Sequence, residues 1–91
     1  MSSFFAGFFH TYNDVTCSQS GFMDLSTAQE CSSAARYAKS FNSNAGWRFQ
    51  GNWNGLPKGC IIADGGYVYF NTHSTGGRSN EYASICRKCN T

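Results

Sequence analysis

Hydrophobic and polar positions along this chain change period at Gly46, and the change separates a helix from a set of strands. From Thr27 to Phe41, the residues Ala28, Cys31, Ala35, Ala38 and Phe41 recur at helical spacing on one face, while Glu30, Arg36 and Lys39 point elsewhere. That pattern predicts an amphipathic helix. Ser26-Thr27-Ala28-Gln29 precedes it as a capping box, in which the Ser26 hydroxyl accepts from the Gln29 amide and the Gln29 side chain reaches back. The helix is expected to begin there. Its stripe consists of small side chains, so its backbone can lie close to a sheet. Asn42-Ser43-Asn44-Ala45-Gly46 then supplies the turn formers that end it.

After Gly46 the period becomes two. Cys60 to Asp64 and Tyr67 to Asn71 flank Gly65-Gly66, the signal of a tight two-residue hairpin whose primed turn needs positive φ. Such a turn pairs Ala63 with Val68 and Ile61 with Phe70 on one face, and Ile62 with Tyr69 and Asp64 with Tyr67 on the other. The first face is wholly apolar and must meet the helix. The second carries tyrosine hydroxyls, a carboxylate and Asn71, which suits a wet or ligand-facing surface. Trp47 to Gln50 and Tyr82 to Arg87 read as further short strands, and Thr72 to Asn80 as a polar, glycine-containing loop. The expected architecture is α+β, a single domain over residues 1–91 with one helix packed on a small antiparallel sheet.

Composition narrows the classes of partner. Charged residues are 13% of the chain and aromatic residues 16%, the reverse of the balance that keeps a chain disordered. A net charge of +2, scattered along the sequence, is too weak to bind phosphate backbones by counterion release, so nucleic acid is not expected as a partner. No apolar run approaches the ~20 residues that span a bilayer, so membrane insertion is not expected either. The start, MSSFFAGFFHTYND, has neither a basic n-region nor a small-residue cleavage site, which fits the mature form of a secreted protein with Met1 added or retained.

Five cysteines in a chain of this size point to an oxidising compartment, hence a secreted or cell-surface location. The metal alternative rests on Cys86-Arg-Lys-Cys89, a lone C-x-x-C without a second pair at matching spacing, and neither His10 nor His73 belongs to an H-x-x-x-H pair. No metal and no cofactor are expected. A thioredoxin-like dithiol would need a strand followed by a helix around the motif, which this stretch lacks. Two intramolecular disulfides are expected among Cys17, Cys31, Cys60 and Cys86, in any of three connectivities. The odd cysteine is Cys89, close to the C-terminus, either free or bridged to another chain.

Three groups of residues are candidates for function. Trp53, Asn52, Asn54, Asp64, Tyr67, Tyr69 and Asn71 combine flat rings with amides and a carboxylate, which is what stacking on sugar faces and bonding of sugar hydroxyls require. Trp47 is assigned to the core and Trp53, between asparagines in Gly51-Asn52-Trp53-Asn54-Gly55, to contact. None of the asparagines lies in an N-x-[ST] acceptor, so their amides are available to bind. Phe4, Phe5, Phe8 and Phe9 form an apolar segment within residues 1–10 that either fills the domain's own core, as an edge strand beside the C-terminal one, or docks on a neighbouring subunit with Cys89 locking the contact. Last, Thr72-His73-Ser74-Thr75-Gly76, with Asn80, Cys86 and the earlier helix, resembles the guanyl-specific microbial ribonucleases of the T1 type. That resemblance implies His73 as general acid and a strand Glu as base. Between helix and hairpin the chain offers Arg48 but no Glu and no His, so the base is missing from its place.

The order of signals carries a second resemblance. Thr27-Ala28-Gln29-Glu30-Cys31, Ala34-Ala35, Leu56-Pro57-Lys58-Gly59-Cys60, Val68-Tyr69-Phe70-Asn71 and Ser84-Ile85-Cys86 resemble a cysteine-stapled module, of uncharacterised role, from predicted secreted and cell-surface proteins of algae and related aquatic protists. It spans about three quarters of the chain, from Cys17 to Cys86. The resemblance implies four recurring cysteines, at Cys17, Cys31, Cys60 and Cys86, and transfers no activity. The function expected is that of a non-catalytic extracellular structural or interaction module, self-associating into an assembly or filament, with polysaccharide or glycan contact. The alternatives are a monomeric carbohydrate-binding module and a small secreted ribonuclease.

Overall fold

The computed structural model describes residues 8–10, 17–18, 21–77, 79 and 81–88. These residues form one helix, α1 (Ala28–Ala38), and six strands, β1 (Phe8–His10), β2 (Phe22–Asp24), β3 (Gly46–Gly51), β4 (Gly59–Ala63), β5 (Tyr67–Asn71) and β6 (Tyr82–Lys88). The fold is α+β, with α1 packed on one face of the sheet.

Helix α1 starts one residue later than the Ser26 cap predicts. Thr27, in extended conformation, is the N-cap, and its hydroxyl accepts from the Glu30 amide at 3.1 Å. The Glu30 carboxylate accepts in turn from the Ser26 amide and hydroxyl, each at 3.0 Å. A carboxylate in the first turn is favoured by the helix dipole in a way the neutral Gln29 is not, which explains the shift. The helix also stops before Phe41, because residues 38–42 turn through i→i+3 bonds such as Ser40 N–H to Tyr37 O and Phe41 N–H to Ala38 O. Phe41 is therefore 44% exposed and packs edge-on against Tyr37 instead of joining the buried stripe of Cys31, Ala34, Ala35 and Ala38.

The sheet order is β1-β6-β4-β5-β3, with β2 added on β6. It is mixed: β3 runs parallel to β5, and every other pair is antiparallel. The β4–β5 hairpin is present, but its register is one residue away from the expected one. Cys60 pairs with Phe70, Ile61 with Tyr69 and Ile62 with Val68. A two-residue primed turn needs positive φ at its first glycine, and in type I′ at both, whereas only the second, Gly66, has it, at 103°, and its amide closes the turn on Ala63 O at 2.9 Å. The loop thus holds three residues, Asp64 to Gly66. Gly66 is pressed against the Asn44 backbone, where a Cβ would not fit, and its carbonyl accepts from Gly46 N–H at 3.0 Å. Contact with the chain after the helix therefore sets the turn, and the slip moves Ile62 to the helix face and Ile61 to the other.

Cys60, Ile62, Val68, Phe70, Ala83 and Ile85 form the helix face together with Leu25 and the small residues of α1. Cys31–Cys60 fastens helix to sheet there, and Cys17–Cys86 closes the opposite side, so the two disulfides come from the four cysteines expected.

Candidate ligand-binding site

On the sheet face away from α1, a concave site of about 750 Å³ is lined by Phe49, Asn52, Trp53, Asn54, Gly55, Leu56, Tyr69, His73 and Tyr82. Its volume falls in the usual range for small-molecule sites, about 300–1,000 Å³. Four rings make a continuous wall. Tyr69 meets Phe49 at 5.2 Å and Trp53 at 5.8 Å, both edge-on, and Tyr82 at 6.2 Å, while Phe49 lies 6.2 Å from Trp53. Edge-to-face pairs of this kind contribute about 0.5–1.5 kcal/mol each beyond their buried area.

Phe49 reaches this wall because of an irregularity in β3. Trp47 pairs with Val68 and Phe49 with Tyr69, so two steps along β3 match one along β5. In a regular strand Trp47 and Phe49 would share a face. The bulge at Arg48 separates them, and Trp47 packs on the helix-side core while Phe49, 50% exposed, joins the aromatic wall.

Asn71 shapes the rest of the site. Its side chain, in a residue only 2% exposed, lies under the loop from 52 to 57. Oδ1 accepts from the amides of Trp53 at 2.9 Å and His73 at 3.1 Å, and Nδ2 donates to the carbonyls of Trp53, Leu56 and Pro57 at 2.8, 3.0 and 2.9 Å. Amides on one side and carbonyls on the other fix the orientation of its amide. Trp53 is then placed by what lies beneath it, since a Cβ on Gly51 would occupy the space of the indole ring. The loop from 73 to 77 forms the next wall. Gly77 N–H donates to Leu56 O at 2.7 Å, and the His73 Nδ1 accepts from the Gly76 and Thr75 amides at 2.8 and 3.2 Å.

Of the residues proposed from sequence, Trp53, Asn52, Asn54 and Tyr69 come together at this site. Asn71 supports it from within rather than facing a ligand, because its polar atoms are taken up by backbone. Tyr67 and Asp64 lie at the turn end of the hairpin, outside the lining, and the Arg48 guanidinium sits 5.0 Å over the Tyr67 ring. Phe49, Gly55, Leu56, His73 and Tyr82 complete the lining. Alternation from Tyr69 through a paired strand would have suggested Tyr82, whereas nothing local signals the bulge that turns Phe49. For the ribonuclease comparison, Arg48 is held over Tyr67, and Asp24 is the described carboxylate that shares a cavity with His73, a smaller one of about 460 Å³ that also includes Lys58. Burial pushes the Asp24 carboxyl above its ordinary value of 3.8, against the opposing pull of Lys58 at 3.8 Å.

Among the described residues no group of three or more His, Cys, Asp or Glu could hold a metal ion, and no helix is long and apolar enough to cross a membrane. Phe4, Phe5 and Cys89 lie outside the described residues, and Phe8 and Phe9 belong to β1, paired with β6 of the same chain. Among known proteins, no family model, no curated protein and no solved structure matches the chain.

Proposed function

We propose that the protein is a secreted or cell-surface carbohydrate-binding module, non-catalytic, of the cysteine-stapled kind that its sequence resembles. One observation carries the reading: Phe49, Trp53, Tyr69 and Tyr82 form a continuous aromatic wall in a concave site on the sheet face away from α1, edged by the Asn52 and Asn54 amides and by His73. Pyranose rings present an apolar C–H face and a perimeter of hydroxyls, and a site with aromatic floor and amide rim meets both. Ordering costs on binding are low, because Asn71 already fixes the loop that carries Trp53. Two disulfides suit an oxidising compartment.

The test is binding to a panel of polysaccharides and oligosaccharides, followed by Trp53 fluorescence. Trp53→Ala is expected to lower affinity about tenfold or more, equivalent to about 1.4 kcal/mol, without loss of fold. Gly51→Ala, which removes no lining group but displaces the indole, is expected to weaken binding in the same direction. Absence of binding across the panel, or binding indifferent to Trp53→Ala, overturns the reading.

A further inference from the structure

We infer, resting on the carbohydrate-binding reading, that His73 is a positioning residue whose protonation opens one wall of the site, so that ligand is held at neutral pH and released on acidification. His73 Nδ1 accepts from two backbone amides, Gly76 at 2.8 Å and Thr75 at 3.2 Å, with the Thr75 hydroxyl at 3.4 Å. An imidazole nitrogen that accepts carries no proton, so the neutral ring has its hydrogen on Nε2. Imidazolium carries N–H on both nitrogens and accepts at neither. Protonation would therefore replace two accepted bonds with an N–H directed at two other N–H groups.

The turn that these bonds close is the part clamped to the opposite loop. Gly76 has φ +63° and approaches Leu56 O and Lys58 N so closely that no Cβ fits, and Gly77 N–H donates to Leu56 O at 2.7 Å. The His73 amide itself donates to the same Asn71 Oδ1 that receives the Trp53 amide. His73 is thus linked to the Trp53 loop through its backbone amide on Asn71, and the turn from 73 to 76, which meets that loop at Gly76 and Gly77, is the part closed by Nδ1 as an acceptor. Among the described residues, the titratable and charged groups that share a cavity with it are Tyr69 and Tyr82 in the larger one, and Asp24 and Lys58 in the smaller one that His73 also lines. Of these, Asp24 and Lys58 are paired with each other at 3.8 Å.

The mechanism is read first in the protein without ligand, so its failure and that of the glycan reading are distinguishable. From about pH 8 to about pH 5, the span in which imidazoles change charge, hydrogen exchange of the Thr75 and Gly76 amides should lose about tenfold or more of its protection once corrected for intrinsic rates. The imidazole nitrogen shifts should report the Nε2–H tautomer at the upper end. His73→Asn, whose side-chain oxygen takes the place of Nδ1 but does not titrate, should keep these amides protected throughout. If a glycan binds, its affinity should fall with pH in the native protein and stay level in His73→Asn. Unchanged protection across the range, the opposite tautomer, or the same pH dependence in a folded His73→Asn overturns the inference. The native titration decides the matter even where that variant does not fold.

Discussion

Along β5, Val68 and Phe70 point to α1 and are buried, while Tyr67 and Tyr69, at the alternate positions, point to the opposite face, where Tyr67 is 50% exposed. The two faces of one strand are thus completed by different means. The helix face is covered by Cys31, Ala34, Ala35 and Ala38, whose small size lets α1 lie close, and by the Cys31–Cys60 bridge. On the other face the described residues place no helix. At the Asn71 end it is covered by the loop from 52 to 57 and by His73, both hydrogen-bonded to one buried amide, and at β6 by the Cys17–Cys86 bridge. Dispersion and apolar burial secure the first face, whereas a polar network secures the second and leaves the aromatic rings open.

The strongest way to break the comparison is on the helix face. Replacing Cys31 and Cys60 together by Ala opens a loop of sequence separation 29, which in the chain-entropy account costs about 3.5 kcal/mol. For a domain of this size that lowers the melting temperature by roughly 15–25 °C. Calorimetry should show the whole transition moving, with Trp47 and Trp53 fluorescence changing together. A melting temperature within a few degrees of the native one would mean that α1 is held by packing alone.

Asn71→Leu acts on the other face. It takes their partner from the Trp53 and His73 amides and three carbonyls; a group left buried and unsatisfied costs about 1–3 kcal/mol, and relaxation of the loop into water re-satisfies most of the five. We expect a net loss of about 3 kcal/mol and a change in Trp53 emission that appears already in the folded state, while the helix signal in circular dichroism is retained. Emission that changes only on global unfolding would show that the Trp53 loop is held by something other than Asn71.

The smallest expected effect is electrostatic and separates Asp24 from Glu30. The Ser26 amide bond holds the Glu30 carboxyl below its ordinary value of 4.5, opposed by burial and helped by the Ser26 hydroxyl and the Arg87 guanidinium at 3.1 Å. Its contribution is present above 4.5 and lost as pH falls through the lower folded value. Asp24 has the reverse sign: its folded value is raised, so its contribution is present below 3.8 and lost as pH rises through the folded value. In urea titrations between about pH 3 and about pH 6, Glu30→Gln should flatten the acid-side loss and Asp24→Asn the loss on the higher side. Curves unchanged by either substitution would remove both groups from the pH dependence.

Much of the scaffold is legible in local pattern. Small apolar residues at helical spacing mark α1 to within a residue at its start, and the alternation around Gly65-Gly66 marks β4 and β5. The misplacements have local causes with distant origins. The cap moved from Ser26 to Thr27 because a charged Glu30 serves the first turn better than Gln29, and the hairpin slipped by one residue because Gly66 is pressed on the Asn44 backbone. Within the site, Trp53, Asn52, Asn54 and Tyr69 could be nominated from residue type and neighbours. The structural use of Asn71 could not, since its partners are the backbone of residues 53, 56 and 57, brought over it by the fold.

Local spacing was enough for the α+β class, the helix, the hairpin, the four cysteines that form two bridges, and an aromatic, asparagine-rich loop. These follow from side chains a few positions apart, whose spacing is the same whatever the rest of the chain does. Packing of the folded chain was needed to join Cys17 to Cys86 and Cys31 to Cys60, to lay β3 parallel to β5, and to place the bulge at Arg48 that sends Trp47 to the core and Phe49 to the aromatic wall. Each of those is a choice among distant partners, and such choices are made by which faces can be buried together, a property of the assembled sheet and helix rather than of any one segment.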